Sequence, residues 1–201
     1  MNISAILLII AWACTLTATL MTFGSRTRRR PILTLAICGL TGVGLLTQLL
    51  HPTLLAALER DRHKMLHGEW WRAFTALFVQ DGWLPGGLTN LSALLLLGGL
   101  AEQVLRRLEW MVIYSLGALV AEGVALAWQP VGGGNSVAVC SLAGALLALR
   151  PPAARAPSSS ILRTAALASA ALLVVLRDIH GVAILAGTAL EAGLFAQRPR
   201  T

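Results

Sequence analysis

The sequence predicts an all-α polytopic membrane protein of seven spans, on three observations. First, 56% of its 201 residues are hydrophobic and only 12% are charged, where a soluble globular domain carries about 25% charged residues. Mean hydropathy is +0.73, and a soluble domain of this length lacks the polar cover for so much apolar surface. Second, the apolar residues fall into runs close to the ~20 residues that a helix needs to cross the hydrocarbon core. Third, the basic residues sit between those runs and not on one folded face. The net charge of +7 therefore signals membrane orientation and excludes a nucleic-acid partner.

The spans follow in order. The run Ile3–Phe23 has no basic segment before it and no small-residue cleavage site after it. It is also too long for a signal-peptide core, so it is expected as a retained helix. Arg26-Thr27-Arg28-Arg29-Arg30 follows, and a second run extends from Pro31 to Leu50. Residues 51–84 hold no clear span; they carry Glu59-Arg60-Asp61-Arg62-His63-Lys64 and then Gly68-Glu69-Trp70-Trp71-Arg72. Paired tryptophans beside an arginine suit the membrane–water interface. The remaining spans are expected at 85–105, 109–128, 135–150, 160–177 and 179–197, with Pro151 to Pro157 as a turn. Cys14, Cys38 and Cys140 all fall inside apolar runs and read as small packing residues.

Charge asymmetry orients the chain. With the 24–30 loop cytoplasmic and seven alternating spans, Arg26, Arg28, Arg29, Arg30, Arg106, Arg107, Arg150, Arg155, Arg163, Arg198 and Arg200 lie inside. Only Arg60, Arg62, Lys64, Arg72 and Arg177 lie outside. The bias holds at every cytoplasmic loop. It places the N-terminus and the 51–84 loop externally and the C-terminus in the cytoplasm. The strong preference for arginine over lysine suggests a bacterial source, hence a multi-pass protein of the bacterial plasma membrane.

Polar groups within spans are costly and mark functional candidates. Gly132-Gly133-Gly134-Asn135-Ser136 leads into an apolar helix. Glycines let a backbone approach closely, and the free N–H groups of a helix start can stabilise an oxyanion, so Ser136 suits a nucleophile; a glycine loop with Ser136 as a cap fits the same residues. His180 opens the last span at a similar depth and supplies a base within the reach that a serine nucleophile needs, or is a solvated interfacial residue. Ser136, Cys140 and Gly144 recur at four-residue spacing, as do Ala183 and Gly187 below His180. Such stripes let membrane helices pack closely. Asn90, near the start of the 85–105 span, either donates to an oxyanion or bridges helices.

These residues resemble the motifs of the rhomboid intramembrane serine proteases. Gly68-Glu69-Trp70-Trp71-Arg72-Ala73-Phe74-Thr75 is similar to the G-x-W-W-R-x-x-T that opens the family's first loop. Asn90 matches the asparagine of H-x-x-x-N, and Gly98 with Glu102 matches G-x-x-x-E. Gly134-Asn135-Ser136 matches the G-x-S of the nucleophile, and His180 with Ala183 and Gly187 resembles the motif of the sixth core helix. Two positions depart: Val137 follows the serine where the family has glycine, and Gly86 stands where it has an oxyanion histidine.

The resemblance implies a six-helix core, residues 31–201, preceded by one extra transmembrane helix and its basic loop, residues 1–30. The extra helix is expected to set the orientation of the core. The resemblance further implies Ser136 as nucleophile, His180 as general base, Asn90 and the Ser136 N–H as oxyanion donors, and Gly134, Ala183 and Gly187 as supporting positions. The substrates would be transmembrane proteins met within the lipid bilayer, and no cofactor or metal is implied. Asp178 is two residues from His180, a spacing that on a helix sends its carboxylate elsewhere, so a Ser–His dyad is expected. Two alternatives are a non-catalytic relative that binds membrane helices and a small transporter using Glu122 and Glu191.

Overall fold

The computed structural model describes residues 2–23, 29–149 and 156–195. Of the arginines behind the orientation argument, Arg26, Arg28, Arg150, Arg155, Arg198 and Arg200 lie outside the described residues.

The two N-terminal runs form α1 (Ile3–Phe23) and α2 (Ile32–Leu50). Residues 51–84 fold as short pieces: α3 (Thr53–Leu58), β1 (Arg60–Asp61), α4 (Arg62–Leu66) and α5 (Arg72–Thr75). Next comes one rod made of α6 (Trp83–Ala93), a π-helical turn (Leu94–Gly98) and α7 (Gly99–Val104). After α8 (Arg107–Trp128), β2 (Val131–Gly132) pairs antiparallel with β1, Arg60 opposite Gly132. The chain continues through α9 (Ser136–Ala148), α10 (Ala156–Val175) and α11 (Ile179–Leu190), which runs on as a π-helical turn (Glu191–Phe195).

Among the described residues, α1, α2, the Trp83–Val104 rod and α8 are long and apolar enough to cross a membrane. The apolar stretches Ser136–Ala148, Ser159–Val175 and Ile179–Gly193 are shorter. The seven expected spans are thus four full-length helices and three shorter ones.

The core is centred on α9, in which every residue from Val137 to Leu147 is buried. A helix that is apolar all round belongs inside a bundle, and α9 packs against α11, α8, α1 and the π-helical turn of the rod. The outer surface is apolar too, with Leu35, Leu46, Leu88, Leu95, Met111, Ile161 and Leu172 all exposed. Lipid, unlike water, imposes no penalty on that surface. Glu102, Arg163, Arg72 and the Arg60–Glu122 pair lie inside and find partners there, as a medium without water favours.

Those groups tie the elements together. Glu102 accepts hydrogen bonds from the Leu33 and Thr34 backbone N–H groups and the Thr34 hydroxyl, at 2.9–3.0 Å. A carboxylate at a helix N-terminus meets its free donors and its dipole, so α7 is fixed to α2. Arg163 on α10 donates to the carbonyls of Leu146, Leu147 and Leu149 at the end of α9. Arg72 donates to the Ala56 and Glu59 carbonyls and pairs with Glu69, which closes the 51–84 segment on itself. Arg60 and Glu122 form a buried ion pair at 2.6 Å, joining β1 to α8. Cys14, Cys38 and Cys140 are free thiols.

Candidate active site

The site begins with the glycine loop. Gly134 has φ +153°, a conformation that side chains rarely adopt, and its N–H donates to the Ala76 carbonyl at 2.8 Å. The Asp81 N–H donates to Gly133 O, which stitches the loop to the segment before α6. Asn135 occupies the cap position of α9 and is completely buried. Ser136 is therefore the first helical residue and not the cap, and its hydroxyl is directed at His180.

The Ser136 Oγ lies 2.8 Å from His180 Nε2. The pair meets because α9 and α11 approach backbone to backbone. A Cβ added to Gly144 would strike the Ile184 carbonyl, and one added to Gly187 would strike the Ser141 carbonyl. Thr188 on α11 donates to the Gly144 carbonyl at 3.0 Å, and Ala183 is completely buried in the same helix. The expected small-residue stripe is present with one change. Cys140 faces α1 and accepts from Trp12 Nε1 at 3.3 Å, while Ser141 provides the backbone against Gly187.

The expectation that Asp178 points away is overturned. Its Oδ1 lies 2.6 Å from His180 Nδ1. The two-residue spacing would turn Asp178 away only on a continuous helix, whereas Asp178 is the cap of α11, with extended backbone (φ −97°, ψ 123°). From there its carboxylate folds back over the first turn and also accepts the His180 backbone N–H at 3.0 Å. The preceding turn holds it in place. Arg177 takes a left-handed φ of +55°, its N–H donates to Val174 O, and the Asp178 N–H donates to Leu173 O. These are the paired bonds of a Schellman helix ending, so α10 stops and α11 starts with no slack. Burial pushes the Asp178 carboxyl up, but hydrogen bonds from His180, its charge and a hydrogen bond from Ser4 outweigh that and hold it below its ordinary range. The N-cap preference for Asp immediately before an apolar run was the sequence signal that could have found it.

Asn90 on α6 reaches the same place. Its Nδ2 donates to Gln80 Oε1 at 2.7 Å. A Cβ built on Gly134 would lie 3.3 Å from Asn90 Nδ2, 3.5 Å from Gln80 Oε1 and 3.6 Å from Ser136 Oγ. The glycine loop, the Ser136 hydroxyl and two side-chain amides thus surround one small volume. Gln80 was absent from the sequence-level candidates. Gly86, one turn before Asn90, faces open space, with nothing within 4 Å of a Cβ there. The structure thus brings together Ser136, His180, Asn90 and Gly134, and puts Ala183 and Gly187 on the supporting helix. Glu122, a candidate ion site by sequence, is paired with Arg60.

From α1, Trp12 Nε1 donates to Cys140 Sγ, four residues after Ser136 on α9, and Ser4 helps to hold the Asp178 carboxyl low. The first helix therefore packs against the helix that carries Ser136.

No curated protein matches the sequence. The family model of the rhomboid domain matches residues 67–195, a span that begins before Arg72 and takes in Asn90, the glycine loop, Ser136 and His180. That is more than half of the chain, and the protein belongs to the rhomboid family.

Proposed function

We propose that this protein is an intramembrane serine protease that cleaves transmembrane substrates near the external face of the bilayer. The observation that carries the reading is the 2.8 Å contact between Ser136 Oγ and His180 Nε2, the reach at which a base activates a serine. The placement suits peptide bonds within a membrane. The 13 residues of α9 span about 20 Å, about 10 Å short of a hydrocarbon core. With its C-terminal end at the cytoplasmic edge, its start and Ser136 are recessed below the external surface.

His180 takes the Ser136 proton at Nε2 as Oγ bonds to the scissile carbonyl carbon. The carbonyl π pair moves to oxygen, and the oxyanion is met by the Ser136 N–H and Asn90. His180 then protonates the leaving amine, and water attacks the acyl-enzyme by the same route in reverse. Asp178 accepts the Nδ1 proton of His180, which fixes the tautomer and stabilises the imidazolium. This enlarges the expected dyad to Ser136–His180–Asp178. Acyl transfer by these groups needs no metal or cofactor. The substrate is a membrane protein whose helix unwinds near the interface, since a backbone bonded within a helix does not present its carbonyl.

The wider placement belongs to the same proposal: a multi-pass protein of a bacterial plasma membrane, N-terminus external and C-terminus cytoplasmic, with residues 31–201 as the core and α1 added to it. One observation favours a second reading, a non-catalytic relative that binds membrane helices: Gly86 provides no donor where the family carries a histidine. A serine-directed fluorophosphonate probe separates the two. The purified chain should label and Ser136→Ala should not; equal labelling of both, where an active rhomboid control labels, would establish the non-catalytic reading.

A further inference from the structure

Buried amides seldom leave a donor unpaired, because an N–H taken out of water without a partner loses its hydration and gains nothing in return. Gln80 is such a case. It is 1% exposed, and its Nε2 has no hydrogen-bond partner among the described residues. Its position is closely determined. The Gln80 N–H donates to Gln48 Oε1 at 2.8 Å, and Gln48 Nε2 donates to the Gln80 carbonyl at 2.7 Å. Gln48, itself fully buried on α2, thus holds the Gln80 backbone from both sides. The side chain leaves this clamp toward the glycine loop, where Oε1 accepts from Asn90 Nδ2. Oε1 also lies 3.5 Å from the point where a Gly134 Cβ would stand, beside Ser136 Oγ at 3.6 Å.

Resting on the protease reading above, we infer that Gln80 is a second side-chain oxyanion donor of this site and replaces the donor that Gly86 cannot supply. The amide has two tasks. Its oxygen takes one N–H of Asn90 and so orients that side chain, leaving the second Asn90 N–H free. Its own Nε2 is a preorganised donor that acquires a partner only when negative charge forms on the attacked oxygen. A donor unsatisfied in the resting state and satisfied in the tetrahedral state stabilises the second more than the first, which is the condition for lowering a barrier. Gly134 keeps the volume between them open, since a Cβ there would fill the space the oxyanion needs. No proton leaves Gln80 in this step: the Ser136 proton goes to His180, and the amide only donates a hydrogen bond.

The test uses the full chain in detergent micelles and the rate of fluorophosphonate labelling, in which Ser136 Oγ bonds to phosphorus, fluoride leaves and the phosphoryl oxygen occupies the hole. Gln80→Glu keeps the acceptor for Asn90 and removes the donor; its labelling rate should fall by about 10²–10³-fold, the usual cost of one oxyanion donor. Gly86→His places a new donor one turn from Asn90, on the same face of α6 and in open space. Added to Gln80→Glu it should restore at least about tenfold, and added to the wild type it should change the rate by less than about threefold. A merely structural Gln80 would not be rescued from that position. The inference is overturned if Gln80→Glu labels at the wild-type rate. It is equally overturned if Gly86→His alone accelerates the wild type tenfold or more, a result that does not depend on any Gln80 variant folding. Wild type that labels no more than Ser136→Ala would instead remove the protease reading itself.

Discussion

Asp178 shows how much a single backbone conformation decides. Two residues from His180 on a continuous helix, its carboxylate would lie on another face; as an N-cap it folds back and holds both the His180 N–H and the imidazole. Asn at this position still caps a helix but its amide does not enforce the Nδ1–H tautomer. Asp178→Asn should therefore fold and label Ser136 more slowly, by up to about 10⁴-fold, the loss that a wrong imidazole tautomer causes. Unchanged labelling would reduce Asp178 to a cap. The carboxyl is held below its ordinary range, so the stability it adds is complete above about pH 4 and is lost as pH falls through the lower folded value. The thermal midpoints of wild type and Asp178→Asn should accordingly stay apart at neutral pH and converge only on strong acidification. Ser136, His180 and Asn90 were legible as residue types within apolar spans; Asp178 and Gln80 were not, because their roles depend on where a helix starts and how a loop is clamped.

At the scale of elements, the seam between α9 and α11 carries the site. Gly144 and Gly187 admit the opposing Ile184 and Ser141 carbonyls, and only that approach puts His180 within reach of Ser136. Gly187→Val should push the helices apart, with a cost of about 1–3 kcal/mol or more from overpacking. Labelling of Ser136 should fall together with the thermal midpoint; a variant that keeps both would show the seam to be slack. The four-residue spacing of small residues predicted this packing. It did not predict that Cys140 turns to α1 and that Ser141 backs Gly187, since a helix of small residues offers several equivalent faces. The β1–β2 ladder was invisible in sequence because two-residue strands carry no periodicity. It is fixed instead by the buried Arg60–Glu122 pair.

For the whole molecule, orientation decides on which side of the membrane the proposed cleavage would occur. The excess of arginine in alternate loops predicts that a reporter fused after Thr201 reads as cytoplasmic; an external signal would reverse the topology and with it the face of cleavage. The family match begins at residue 67, yet α1, which lies before it, packs along α10 and α9, and its Trp12 donates to Cys140.

The sequence by itself determined the solvent, the helical class, the placement of the long spans and the identity of the serine, histidine and asparagine, because hydropathy and residue type are local properties. Tertiary structure alone decided that Ser136 and His180 lie 2.8 Å apart, that Asp178 stands behind them and that Gln80 shares the volume with Asn90. Those outcomes depend on helix ends and on backbones meeting at glycines, where a difference of one residue or one methyl group redirects a side chain.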